Sequence, residues 1–70
     1  MNYTQAQELL SQFGLLKFYL RPKKIDRPVY FELHGTIEMV EKKNLLFRCN
    51  HNHDFIVALK DVKEFVKICQ

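Results

Sequence analysis

Apolar positions recur with two different periods along this chain. Near the N-terminus Ala6, Leu9, Leu10 and Phe13 recur at i, i+3, i+4 and i+7, the single apolar stripe of an amphipathic helix. Thr4 and Gln7 have capping-box spacing at its start, and Gly14 suits the left-handed position just past its last turn. The pattern therefore predicts a helix over about residues 4–13. Ten residues do not hold a helix alone in water, so the stripe must dock on the sheet formed by the rest of the chain.

From Leu15 the period is two. Leu16, Phe18 and Leu20 alternate with Lys17, Tyr19 and Arg21, as in a strand with one buried face. Pro22 to Pro28 reads as a loop, because proline cannot donate to a ladder. Val29 to Glu41 reads as one long strand. Val29, Phe31, Leu33, Ile37 and Met39 share a face with Gly35, and Tyr30, Glu32, His34, Thr36 and Glu38 share the other. So long a strand is expected to bend at its glycine. Lys42, Lys43 and Asn44 make a turn into Leu45–Cys49. Asn50 to Asp54 makes a polar turn into the alternating run Phe55, Val57, Leu59. Lys60 to Lys63 fits one tight helical turn, and Glu64 to Cys69 a last strand.

The fold predicted is mainly β: an N-terminal helix followed by a five-stranded antiparallel barrel, one domain over residues 1–70 with strands in about 15–69. Leu9, Leu10, Phe13, Phe18, Phe31, Leu33, Ile37, Phe47, Phe55, Val57 and Leu59 are its expected core. Both faces of the last two strands are apolar, since Ile56 and Ala58 oppose Phe55 and Val57. That predicts self-association by edge pairing.

Particular residues suggest which kind of small barrel this is. Leu33-His34-Gly35-Thr36-Ile37-Glu38, followed by an apolar strand ending in Asn50, resembles the Sm-like fold, which includes the bacterial Hfq-type RNA chaperones. The likeness runs from Thr4 to Ile68, with Gly35 and Asn50 at positions of the first Sm motif. The second motif, a basic tripeptide between the last two strands, is missing: the chain has Ala58-Leu59-Lys60-Asp61 there, in which Lys60 is the one partial match. The resemblance implies an Sm-like barrel of a kind that binds RNA, or an SH3-like barrel, which shares the element order.

Composition narrows the classes. Hydrophobic residues make up 47%, with six Phe and three Tyr, too many for a disordered segment. No run is long or apolar enough to cross a bilayer, and the start lacks the pattern of a secretory signal, so a cytoplasmic location and no membrane partner are expected. Cys49 and Cys69 are too few for a disulfide framework.

Charge placement changes the picture more than its sum. The formal net charge is +3. In residues 1–30 Lys17, Arg21, Lys23, Lys24 and Arg27 stand against Glu8 and Asp26, whereas residues 31–70 carry six basic and six acidic side chains. The surplus thus gathers beside Tyr19 and Tyr30. Cations that neutralise phosphates next to rings that stack bases form a pattern for single-stranded nucleic acid. Lys17, Tyr19, Arg21, Lys23, Lys24, Arg27 and Tyr30 are the candidate site, and RNA is the favoured ligand. The rival is a protein-interaction module, such as a small phage or mobile-element adaptor or inhibitor, with the lysines only solvating a loop.

Enzymatic chemistry has little support. Cys49, His51 and His53, spaced by two, would share one face of an extended strand and could offer zinc soft ligands, but the Asn and Asp crowded around them favour a turn. Glu32, His34 and Glu38 alternate on one strand face, the ordinary pattern of a solvated sheet surface. The expectation is a binding module without enzyme activity, metal or cofactor.

Overall fold

The computed structural model describes residues 1–68. Helix α1 spans Tyr3–Glu8, and strands β1 Phe13–Leu20, β2 Val29–Val40, β3 Asn44–Cys49 and β4 Asp54–Ala58 come after it. A 3₁₀ turn, Leu59–Asp61, leads into β5, Val62–Lys67. The expected last strand extended to Cys69, which lies outside the described residues. All five strands form one antiparallel sheet in the order β4-β3-β2-β1-β5.

The helix begins and ends earlier than its stripe predicts. Asn2 is the cap: its Oδ1 accepts from the Gln5 N–H at 2.8 Å, and its own N–H donates to Gln5 Oε1 at 3.0 Å. This box sits two residues before the Thr4–Gln7 pair. The C-terminal end is cut short by the sheet. Ser11 N–H donates to the Ile37 carbonyl at 2.7 Å, and Ile37 N–H donates to the Gln12 carbonyl. Those long-range bonds replace the last helical turn, and Ser11, not Gly14, takes the left-handed conformation at φ 67°. Ala6 is fully buried and Leu9 packs on the core, while Leu10 stays exposed and Phe13 turns to the outer face of β1.

Gly14 is needed inside β1 for another reason. It pairs directly with Gly35 of β2, and both are buried. A Cβ on Gly14 would collide with the Val66 carbonyl and the Phe65 ring. One on Gly35 would collide with the Arg48 carbonyl and the Phe47 ring. The glycine pair lets the sheet curl tightly and lets aromatic rings from the flanking strands lie over bare backbone.

The concave face of this curled sheet carries the core. Phe18 stacks on Phe31 with centroids 5.5 Å apart and meets Phe47 and Phe55 at 6.1 and 5.7 Å. Leu16, Ile37, Leu45, Val57 and Leu59 fill in around them. Four Phe rings on four strands at these separations add edge and offset contacts to plain area burial.

Two bulges set which side chains face inward. The β2–β3 register shifts between Ile37 and Met39, so Glu38 is the extra residue. Parity therefore flips. Val40 packs on the core, and Met39, expected inside, is 53% exposed. A second shift at Lys63 lets Val62 reach Phe18 while Phe65 stays on the core side.

The sheet does not close into the expected barrel. β4 and β5 are its two edges and make no ladder with each other. They are consecutive in sequence, but the three-residue 3₁₀ turn carries the chain straight from one edge to the other. The curl brings β1 and β4 close across the core, and that gap is filled by side chains instead of backbone bonds.

Candidate functional site

The seven residues of the predicted basic and aromatic site separate into three groups. Lys17, on the outer face of β1, lies 3.0 Å from Glu64 Oε2 on β5. The hydrogen bond and charge of Glu64, helped by Glu32, raise its pKa against the opposing effect of burial. Arg21 grips Asp61 of the 3₁₀ turn: Nε donates to both carboxylate oxygens at 3.2 Å and Nη2 donates to Oδ1 at 2.9 Å. Both cations are thus matched by acids from the second half of the chain.

Tyr19 and Tyr30 are a directly opposed cross-strand pair with ring centroids 5.1 Å apart. Tyr30 donates its hydroxyl proton to Glu32 Oε2 at 2.9 Å, and Lys63 Nζ lies 5.5 Å from its ring centroid. Burial, then the bond and charge of Glu32, raise the Tyr30 pKa. The rings thus spend part of their faces on each other. Lys23, Lys24 and Arg27 form the third group, exposed in the loop between β1 and β2 with Asp26 among them. They make no ion pair among the described residues.

A different basic surface lies where the start of α1, the β2–β3 hairpin and the 3₁₀ turn meet. The groove there holds about 630 Å³. Lys42, Lys43 and Lys60 line it with Tyr3 and Asn44, and Ala58 and Leu59 contribute its apolar part. Its shape is set by backbone bonds. Glu41 N–H donates to the Asn44 carbonyl at 2.8 Å and closes the hairpin. Leu59 N–H donates to the Lys43 carbonyl at 2.8 Å and ties the 3₁₀ turn to it, and the Met1 amino group donates to the Leu59 carbonyl at 3.3 Å.

No carboxylate side chain lines the groove among the described residues, and none of the three lysines has an ion-pair partner there. Three lysines around one mainly apolar groove, with no acid side chain in its lining among the described residues, give it a positive border that an anion relieves. Tyr3 is 44% exposed at the rim, its hydroxyl accepting from Gln7 Nε2 at 2.6 Å.

The sequence pattern places Lys42-Lys43 in one turn and Lys60 in another. Nothing local joins them. They meet because β3 and β4 run out and back between them, a tertiary consequence of the Leu45↔Val57 register.

Among the described residues the remaining candidates do not come together as a metal site. Cys49 is buried at the end of β3 and its N–H bonds the His53 carbonyl at 3.0 Å, which closes the turn. His51 and His53 are exposed on that turn, with Asn52 left-handed at φ 62°. The extended alignment a metal would need is therefore lost. No group of three His, Cys, Asp or Glu side chains is placed to hold a metal ion among the described residues. Glu38 and Asp54 both serve Arg48, at 3.4 and 2.8 Å, and the Arg48 hydrogen bond lowers the Asp54 pKa. No helix among the described residues is long and apolar enough to cross a membrane.

Comparison with models of protein families, with curated proteins and with solved structures gives no significant match to this chain.

Proposed function

We propose that this chain is a non-enzymatic module that binds single-stranded nucleic acid, RNA in the first place, with its principal phosphate contacts in the lysine groove. The observation that carries the reading is the gathering of Lys42, Lys43 and Lys60 around one groove with no carboxylate in its lining among the described residues. Lysines held this way act as point charges on a phosphate backbone, and Tyr3 at the rim offers a ring face to an unpaired base. Single strands are favoured over a duplex because a base stacks on a side chain only when it is splayed out. The exposed Lys23, Lys24 and Arg27 give the strand a second, looser contact at the β1–β2 loop. The Sm-like resemblance of Leu33–Glu38 and Asn50 points to the same class of ligand, while the second motif is missing and the sheet stays open.

Titration of labelled single-stranded RNA and DNA at several salt concentrations tests this. Three phosphate contacts give a log–log salt slope of roughly −2, at about −0.7 per contact on single strands. Lys42→Gln, Lys43→Gln and Lys60→Gln should each flatten that slope, and Tyr3→Ala should cost about 1–3 kcal/mol of stacking. Lys23→Glu with Lys24→Glu should have the smaller effect. If the loop pair abolishes binding and the groove lysines do not, the strand lies on the loop and the assignment is wrong.

A second reading is favoured by the open sheet. β4 and β5 are unpaired edges, and Ile56 on β4 is 72% exposed beside Leu46 and the exposed Met39. An apolar row that reaches a free edge suits pairing with another polypeptide, including a second copy of this chain. Light scattering that gives the monomer mass at high concentration would remove the self-association part of this reading.

A further inference from the structure

We infer that Arg21 and Asp61 act together as a positioning pair that holds Lys60 in the groove, an inference that rests on the groove being the ligand site. Asp61 is the one buried charged side chain among the described residues, 8% exposed. A carboxylate withdrawn from water keeps its charge only with a partner and well-made hydrogen bonds. The Arg21 guanidinium supplies both: its planar fork donates to the two oxygens at 2.9–3.2 Å from the end of β1. Arg21 itself remains accessible on its outer side, so the pair is anchored at the carboxylate and open at the guanidinium.

The consequence falls on the residue between two anchors. The 3₁₀ turn is three residues long. Its first residue, Leu59, is buried and bonds the Lys43 carbonyl through its N–H, and its last, Asp61, is tied to Arg21. Lys60 is the exposed residue between them and lines the groove. With both neighbours fixed, its backbone is held beside Lys42 and Lys43 before any ligand arrives. Preorganisation of this kind lowers the ordering cost that binding would otherwise carry. Arg21 then serves the site through Asp61, not by touching phosphate.

The test is a double-mutant cycle on the full chain. The paired variant Arg21→Gln/Asp61→Asn keeps the net charge and approximate shape, and so leaves long-range attraction unchanged. Binding of a fluorescein-labelled oligouridine is read by anisotropy at a temperature where melting curves show every variant folded. The paired variant should bind about fivefold more weakly than the parent, and the same change in a Lys60→Gln background should cost almost nothing. Arg21→Lys, which retains the charge but loses the fork, should fall between.

Equal losses in the two backgrounds would mean that Arg21 meets the strand itself, and no loss in either, where Lys60→Gln alone weakens binding, would mean that the pair positions nothing. Both overturn the inference. Amide hydrogen exchange of ligand-free protein separates it from the groove reading. The Val62 N–H, which bonds the Leu59 carbonyl, should exchange faster in the paired variant. Unchanged exchange overturns the clamp whatever the binding shows. Faster exchange upholds it even if Lys60→Gln binds like the parent, the result that would sink the groove as ligand site.

Discussion

Phe47 and Ile56 are near neighbours on β3 and β4 but face opposite sides of the sheet, and replacing each by alanine separates the core from the surface. Phe47 is fully buried, lies over Gly35 and meets Phe18 at 6.1 Å. Deleting its ring removes one of the four mutually packed Phe rings of β1 to β4 and leaves a cavity. Such Phe→Ala changes cost about 3–5 kcal/mol. A chain of 70 residues has a total stability of roughly 4–10 kcal/mol on the usual per-residue scale. Phe47→Ala should therefore lower the melting temperature by about 15 °C or more, at about 4–8 °C per kcal/mol, or leave the protein unfolded at room temperature. Ile56→Ala on the outer face should stay within about 0.5 kcal/mol of the parent for the dilute protein. Thermal and urea denaturation followed by circular dichroism measure both. Losses of the same size at the two positions would refute the face assignment and with it the register Phe47↔Phe55 on which the core depends.

Further outcomes rest on single features. Met39→Lys should be tolerated and Val40→Lys should unfold the protein, because the bulge at Glu38 turns Met39 out and Val40 in; the reverse order in a urea melt would remove the bulge. Gly35→Ala should cost about 1–3 kcal/mol in the same assay, since the new methyl group meets backbone that has no room to give. The Asp54 carboxyl is held below its ordinary value by Arg48, so the contribution it makes to stability is complete above the unfolded carboxylate value and is lost as pH falls through the lower folded one. Asp54→Asn should then differ from the parent at neutral pH and converge with it in acid, which denaturation across that range will show. Ile56→Lys should reduce any association that light scattering detects at high concentration, as a charge placed on a free edge opposes pairing.

Much of this architecture is legible in the order of residues, because a strand's faces alternate and a helix's stripe recurs by local geometry alone. The helix near the N-terminus, five strands, and the burial of Phe18, Ile37, Phe47 and Val57 come from periods that can be counted along the chain. Turn residues mark the bend after Asn50 and a tight turn before the last strand, which falls at Leu59–Asp61 instead of the expected Lys60–Lys63. Those periods do not contain any interaction between residues far apart. The helix stops at Glu8 because the Ile37 backbone competes for Ser11 and Gln12. Met39 leaves the core because one extra residue in β2 flips every side chain after it. The sheet stays open because the 3₁₀ turn crosses from one edge to the other without a ladder between them. Charge shows the difference most plainly. By sequence the cations of residues 1–30 stand in surplus, yet Glu64 and Asp61 come from the other half of the chain to meet Lys17 and Arg21. Lys42, Lys43 and Lys60, balanced in number by acids of their own half, are brought around one groove with no carboxylate in its lining among the described residues. A sum of charges depends only on composition, but an electrostatic site depends on distance, and distance is decided by the register of strands that are remote in sequence.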